Sequence, residues 1–188
     1  MMFRMEPDTP AELWKAWDEA AKHGDIYIGD LTNRDHVSMI VLAIERLARD
    51  RNVSEVRLWI NSGGGYLTYA KHIRDALMRT RTKGKIIRCH NCGQVSSAAV
   101  EIYLAGDIRT MADGAYFFVH SVGAWIGYMK HGEQKVYTEF LENVTARLAH
   151  WYADRTKKSA KFWQRLLEND AGKYIFEEEA AEWGILQT

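Results

Sequence analysis

The sequence predicts an α/β fold, a parallel sheet with crossover helices and one long helix in its last third. Three observations carry that expectation. Short apolar runs, such as residues 56–60, alternate with stretches whose apolar residues recur every three or four positions. Alternation of that kind builds parallel strands joined by helices. Residues that could do chemistry follow directly after several of those runs, where sheets of this type hold their sites. Residues 134–156 keep a helical period without a break.

The elements follow in order. Residues 9–24 read as a helix: Thr9 caps it, Pro10 fits its first position, Glu12 completes a capping box and Gly24 ends it. Leu13, Trp14, Trp17, Ala20 and Ala21 form its apolar face. Residues 25–29 are a short strand. Val37, Ile40, Val41, Ile44 and Leu47 mark a second amphipathic helix. A strand at 56–60 leads through a glycine turn to a helix at 67–79. A third strand, 85–89, precedes a helix running from Ser97 to about Ala105. Ile108–Met111 and Tyr116–Val119 are strands around the turn Ala112-Asp113-Gly114.

Residues 123–132 are glycine-dotted and aromatic. The helix at 134–156 carries a stripe of Val136, Phe140, Val144, Leu148 and Trp151, with Tyr137, Leu141 and Tyr152 beside it. So much apolar surface on one helix is expected to pack against another subunit. A helix at 159–169 turns Phe162, Trp163, Leu166 and Leu167 inward. An extended piece at 174–176 and a helix at 177–183, stopped by Gly184, close the chain.

A chain of 188 residues is expected to form one domain with a substantial core. Its 25 basic and 25 acidic residues cancel, which argues against nucleic acid or an anionic membrane as partner. Its apolar stretches are too short to span a bilayer, and no secretory signal opens it. Two cysteines make no disulfide framework, so a reducing cytoplasm is expected.

Two segments look like halves of one hydrolytic site. Asn61-Ser62-Gly63-Gly64-Gly65 is a glycine turn after a strand, which lets a backbone N–H approach without a side chain in the way. Gly93-Gln94-Val95-Ser96-Ser97 leads into a helix, whose first N–H groups are free. Together they offer a nucleophile and an oxyanion hole. His120, closing another apolar run, is placed to be the base and then the acid near neutrality.

These motifs resemble the proteolytic subunit of Clp protease, over roughly residues 26–186. The family's "NSPGG" turn matches residues 61–65, with glycine for proline. Its "GQAAS" matches residues 93–97, and its "LTAG" matches Tyr103-Leu104-Ala105-Gly106. Its "IHQP" matches Val119-His120-Ser121-Val122, and its closing "EAxEYGLVD" matches residues 179–187. The resemblance implies the fold shared with crotonases and a serine peptidase without cofactor. Ser97 would be nucleophile, His120 base, and the N–H groups of Gly65 and Ala98 the oxyanion hole. It further implies stacked homo-oligomeric rings joined through a handle at about 123–156. Peptides or unfolded proteins would enter as substrate, with an AAA+ unfoldase as candidate partner. The family's catalytic aspartate falls at Gly172 here. Asp170 is therefore expected as the third triad member, with Glu168 another option, and the family's axial N-terminal loop is replaced by a Trp-bearing helix.

Other readings stand beside these. Ser97 alone would more often be a small residue at a helix–sheet contact, and Ser96 is the rival nucleophile. A lone histidine is more often satisfied in a core. Glu101, one turn after Ser97, suits a crotonase-type acyl-CoA enzyme, and Gly172 suits a non-catalytic ring subunit. Cys89-His90-Asn91-Cys92 has no second pair for zinc and no helix N-terminus for redox chemistry, so two buried or half-buried thiols are expected. The basic run from Arg79 to Arg88 reads as a solvated loop.

Overall fold

The computed structural model describes residues 10–123 and 130–187. Its elements are α1 (Pro10–Lys22), β1 (Asp25–Ile28), α2 (Arg34–Arg49), β2 (Glu55–Ser62), α3 (Leu67–Arg81), β3 (Ile86–Ser96) and α4 (Ala98–Tyr103). They continue with β4 (Ile108–Met111), β5 (Tyr116–Val119), α5 (His131–Arg155), α6 (Ala160–Leu167), β6 (Lys173–Ile175) and α7 (Glu177–Glu182). Mixed α/β architecture with a mostly parallel sheet is thus what the chain adopts. Thr9 and most of the glycine-dotted segment, residues 124–129, lie outside the described residues.

The sheet runs β1-β2-β3-β5-β6, with β4 also on β3. All pairings are parallel except β5 with β6. β3 is the organising strand. Its first half pairs with β4, Arg88 to Asn91 against Ile108 to Met111, and its last three residues pair with β5. Strand β3 therefore reaches Ser96, well past the expected end at Cys89. Its polar middle is satisfied by side chains: Asn91 Nδ2 donates to Tyr116 O, Gly93 N–H to Asn91 Oδ1, and Gln94 N–H to Asn61 Oδ1.

Strand alternation sends Val56, Leu58, Ile60, Ile87, Cys89, Val95, Phe117 and Val119 into one core with the apolar stripes of α2 and α3. The helix stripe expected at Val37, Ile40, Val41, Ile44 and Leu47 is buried. Each such side chain contributes about 1.5–3 kcal/mol relative to exposure. Asn33 caps α2 by accepting from His36 N–H, and Ser159 caps α6 by accepting from Phe162 N–H. Trp163, fully buried, packs edge-on against Tyr152 and Trp183, tying α5, α6 and the end of α7 together.

Two expectations need correction. Cys92 is exposed, not buried or half-buried, because the irregular stretch of β3 turns it outward; Cys89 is buried and its thiol is pushed up to about 12 by desolvation. The basic run is paired rather than merely solvated: Arg79 with Glu45, Arg81 with Asp107, Arg88 with Glu55. On α5 the apolar stripe divides: Leu148 and Tyr152 of its C-terminal half are buried in this chain, while Val136 and Phe140 stay exposed. Among the described residues no helix is long and apolar enough to cross a membrane.

Candidate active site

The parallel register of β3 and β5 sets the geometry. Ser96 stands opposite Phe118, and the Ser97 N–H donates to Phe118 O at 2.7 Å. One residue past Ser96 and two past Phe118, Ser97 and His120 emerge side by side beyond the carboxyl ends of their strands. His120 Nε2 lies 2.8 Å from Ser97 Oγ. With Nε2 unprotonated the serine hydroxyl donates to it, the arrangement that a general base requires.

Ser97 turns sharply between β3 and α4, with φ 54° and ψ −126°. Among the described residues it is the one non-glycine at positive φ. An L-residue held there stores about 1–3 kcal/mol, and such strain collects at functional sites. Ser96, the rival, is buried inside the sheet and does not meet His120.

The three glycines of the turn divide their work. Gly63 N–H donates to Asp30, and Gly64 N–H to Ser62 Oγ. A Cβ on Gly64 would stand 2.8 Å from Ser97 Cβ and 3.1 Å from Ala98 N, so only glycine allows the turn to touch the serine. Gly65 pairs with Leu31 through its neighbours: Leu31 N–H donates to Gly64 O and Tyr66 N–H to Leu31 O. Gly65 and Ala98 both line the cleft in front of Ser97, and among the described residues neither N–H is committed to a partner.

Among the described residues no acid bonds the other flank of His120. Phe118 stacks on the imidazole, with centroids 5.3 Å apart and planes 24° off parallel. Gly172 closes against the pair: a Cβ there would meet Phe118 Cζ at 2.5 Å and His120 Cβ at 3.0 Å. Asp170, the expected triad acid, is exposed and makes no hydrogen bond or ion pair among the described residues. Asn169 organises this bend instead. Its carbonyl accepts from Ser121 and Gly172, and its Oδ1 accepts from Ala171 N–H, which turns Asp170 outward. Glu168 is exposed as well and bonds Gln164. The structure brings Ser97 and His120 together and, among the described residues, does not bring an acid to His120.

A cleft of about 740 Å³ opens in front of this pair. The N-terminal half of α5 walls it with Tyr137, Phe140, Leu141 and Val144. At its floor Glu101 pairs with Arg74, whose guanidinium also lies over the Trp151 ring. Glu101 is only 4% exposed, and burial pushes its carboxyl up to about 7 against the pull of Arg74.

Sequence reasoning missed the contact of Gly64 with Ser97, the Phe118 stack and the Arg74–Glu101 pair. The stack was within reach, since residues two apart on a strand share a face. A family model described as Clp protease matches residues 10–188. A comparison with curated proteins finds no match.

Proposed function

This chain belongs to the Clp protease family, and from its site we propose that it is a serine peptidase hydrolysing peptides or unfolded polypeptides by acyl transfer. Ser97 Oγ attacks the scissile carbonyl while His120 takes its proton, and the imidazolium then protonates the leaving amine. Water repeats the cycle on the acyl-enzyme. The N–H groups of Gly65 and Ala98 hold the tetrahedral oxyanion, a role worth about 3–4 kcal/mol per donor in well-studied hydrolases. No metal or organic cofactor enters these steps.

The observation that carries the reading is the strained serine within 2.8 Å of an imidazole nitrogen. A small residue at a helix–sheet contact needs neither the positive φ nor the histidine. The reading is of a Ser–His pair whose imidazole is steadied by Phe118, with Asp170 outside the machinery.

The proposal extends, on the pattern of the family, to stacked homo-oligomeric rings, with an AAA+ unfoldase as candidate partner. Val136 and Phe140, bare on α5, favour a protein partner for that helix. Two free cysteines suit a reducing cytoplasm.

A fluorophosphonate probe tests the site directly. It should label the wild-type chain at Ser97, and Ser97→Ala should lose both labelling and about 10⁴-fold or more of turnover while its melting temperature does not fall. An unlabelled wild type, or a Ser97→Ala variant that still hydrolyses peptides, would refute the proposal.

A further inference from the structure

Glu101 is a buried acid that acyl transfer does not use. It follows Ser97 by four residues: Ser97 stands at the N-cap of α4 and Glu101 lies within that helix. Both line the same cleft. Arg74 Nη1 holds Glu101 Oε1. The second oxygen, Oε2, has no hydrogen-bond partner among the described residues. It is not sealed in the core either, because the one sealed and unpartnered side-chain polar atom there is Arg109 Nε. Oε2 is therefore an open acceptor at the floor of an apolar cleft, one helical turn from the nucleophile.

Such an acceptor asks for a donor. The charges around it decide which kind. Arg74 already balances Glu101, and Lys71 and Arg147 line the same cleft. An incoming lysine or arginine side chain would meet three cations and one carboxylate. A neutral donor meets no such opposition. The walls decide the rest: Tyr137 and Phe140, with Leu141 and Val144, fit a flat ring better than a polar amide. A ring with a hydroxyl at its far end spans the step from the reacting carbonyl at Ser97 to the floor.

Resting on the peptidase reading of this site, we propose that Glu101 is the specificity-determining residue of the cleft, selecting tyrosine through a hydrogen bond from its phenol to the open carboxylate oxygen. A phenylalanine fills the same walls and leaves the acceptor unmet. Sites built to bond a substrate hydroxyl discriminate strongly against the analogue that lacks it.

The test uses the full chain at pH 8, where Glu101 is ionised, and fluorogenic peptides that differ only in the residue whose carbonyl Ser97 attacks: tyrosine, phenylalanine or lysine. Tyrosine should exceed phenylalanine by at least about tenfold in kcat/KM, with lysine below both. Glu101→Gln should bring the tyrosine-to-phenylalanine ratio toward one. Equal rates for the two aromatics in the wild type, or a preference for lysine, would overturn the proposal and leave the peptidase reading standing. Hydrolysis of none of the three, together with no fluorophosphonate labelling, would overturn the peptidase reading and this inference with it.

Discussion

Restoring an acid at position 172 should fail alone and succeed only when the ring beside it is removed. In Gly172→Asp the new Cβ would stand 2.5 Å from Phe118 Cζ, 2.7 Å from Cε2 and 3.0 Å from His120 Cβ. The ring has little room to retreat, being held between His120 and Tyr174 at centroid distances of 5.3 and 4.4 Å. Overpacking of this kind costs about 1–3 kcal/mol. The backbone at φ 68° adds about 1–2 kcal/mol once a side chain is present. At about 2–4 °C per kcal/mol for a chain of this size, melting should fall by roughly 5–15 °C. Turnover should not rise, because the displaced ring carries His120 with it. Combined with Phe118→Ala, the same aspartate gains space beside the imidazole. Turnover on a peptide substrate should then exceed that of Phe118→Ala alone by about tenfold or more, since a misoriented triad loses up to about 10⁴. Thermal melting and steady-state hydrolysis read both variants. A single Gly172→Asp variant that melts with the wild type and turns over faster would refute the reasoning, for Phe118 would then be no barrier.

Two further expectations concern charge. Asp170→Asn should leave turnover within about twofold of wild type, as its carboxylate is exposed and bonds nothing among the described residues; a loss of a hundredfold in a peptide assay would mean that the bend refolds to reach His120. Glu101 should make the fold weaken as pH rises. Its carboxyl keeps a proton up to about 7 when folded but releases it near 4.5 when unfolded, so between those values the unfolded chain binds fewer protons and stability falls with pH. The effect is on the order of 3 kcal/mol, in a setting of Arg74, Lys71 and Asp75 from α3 and Arg147 and Tyr152 from α5. Urea titrations at pH 5 and pH 8 should show it in the wild type and not in Glu101→Gln; parallel profiles would sink it.

Much of the architecture was legible because periodicity alone carries it. The stripes of α2 and α3 and the alternation of β2 are local patterns, and they survive into the core unchanged. Strand β3 was not legible past Cys89, because His90 to Gln94 are polar and owe their extended form to partners far along the chain. Ser97 and His120 could be read because each closes a run of strand residues, and strand ends cluster in parallel sheets. The third acid could not, because sequence arithmetic locates a charge and not the direction it faces. That direction is set by the carbonyl and side chain of Asn169. The cleft floor was hidden for a similar reason: Arg74 and Glu101 are 27 residues apart and meet through helix packing.

The backbone of Ser97 has a consequence for how such a chain ages in evolution. At φ 54° the serine occupies torsions that glycine adopts without strain. Replacement by glycine therefore removes the hydroxyl and relieves the turn in one step, so the dead protein folds more firmly than the working one. Where selection for hydrolysis lapses, drift at position 97 runs downhill toward a silent copy that keeps its shape. A serine kept there against that gradient is what the proposed hydrolysis would require.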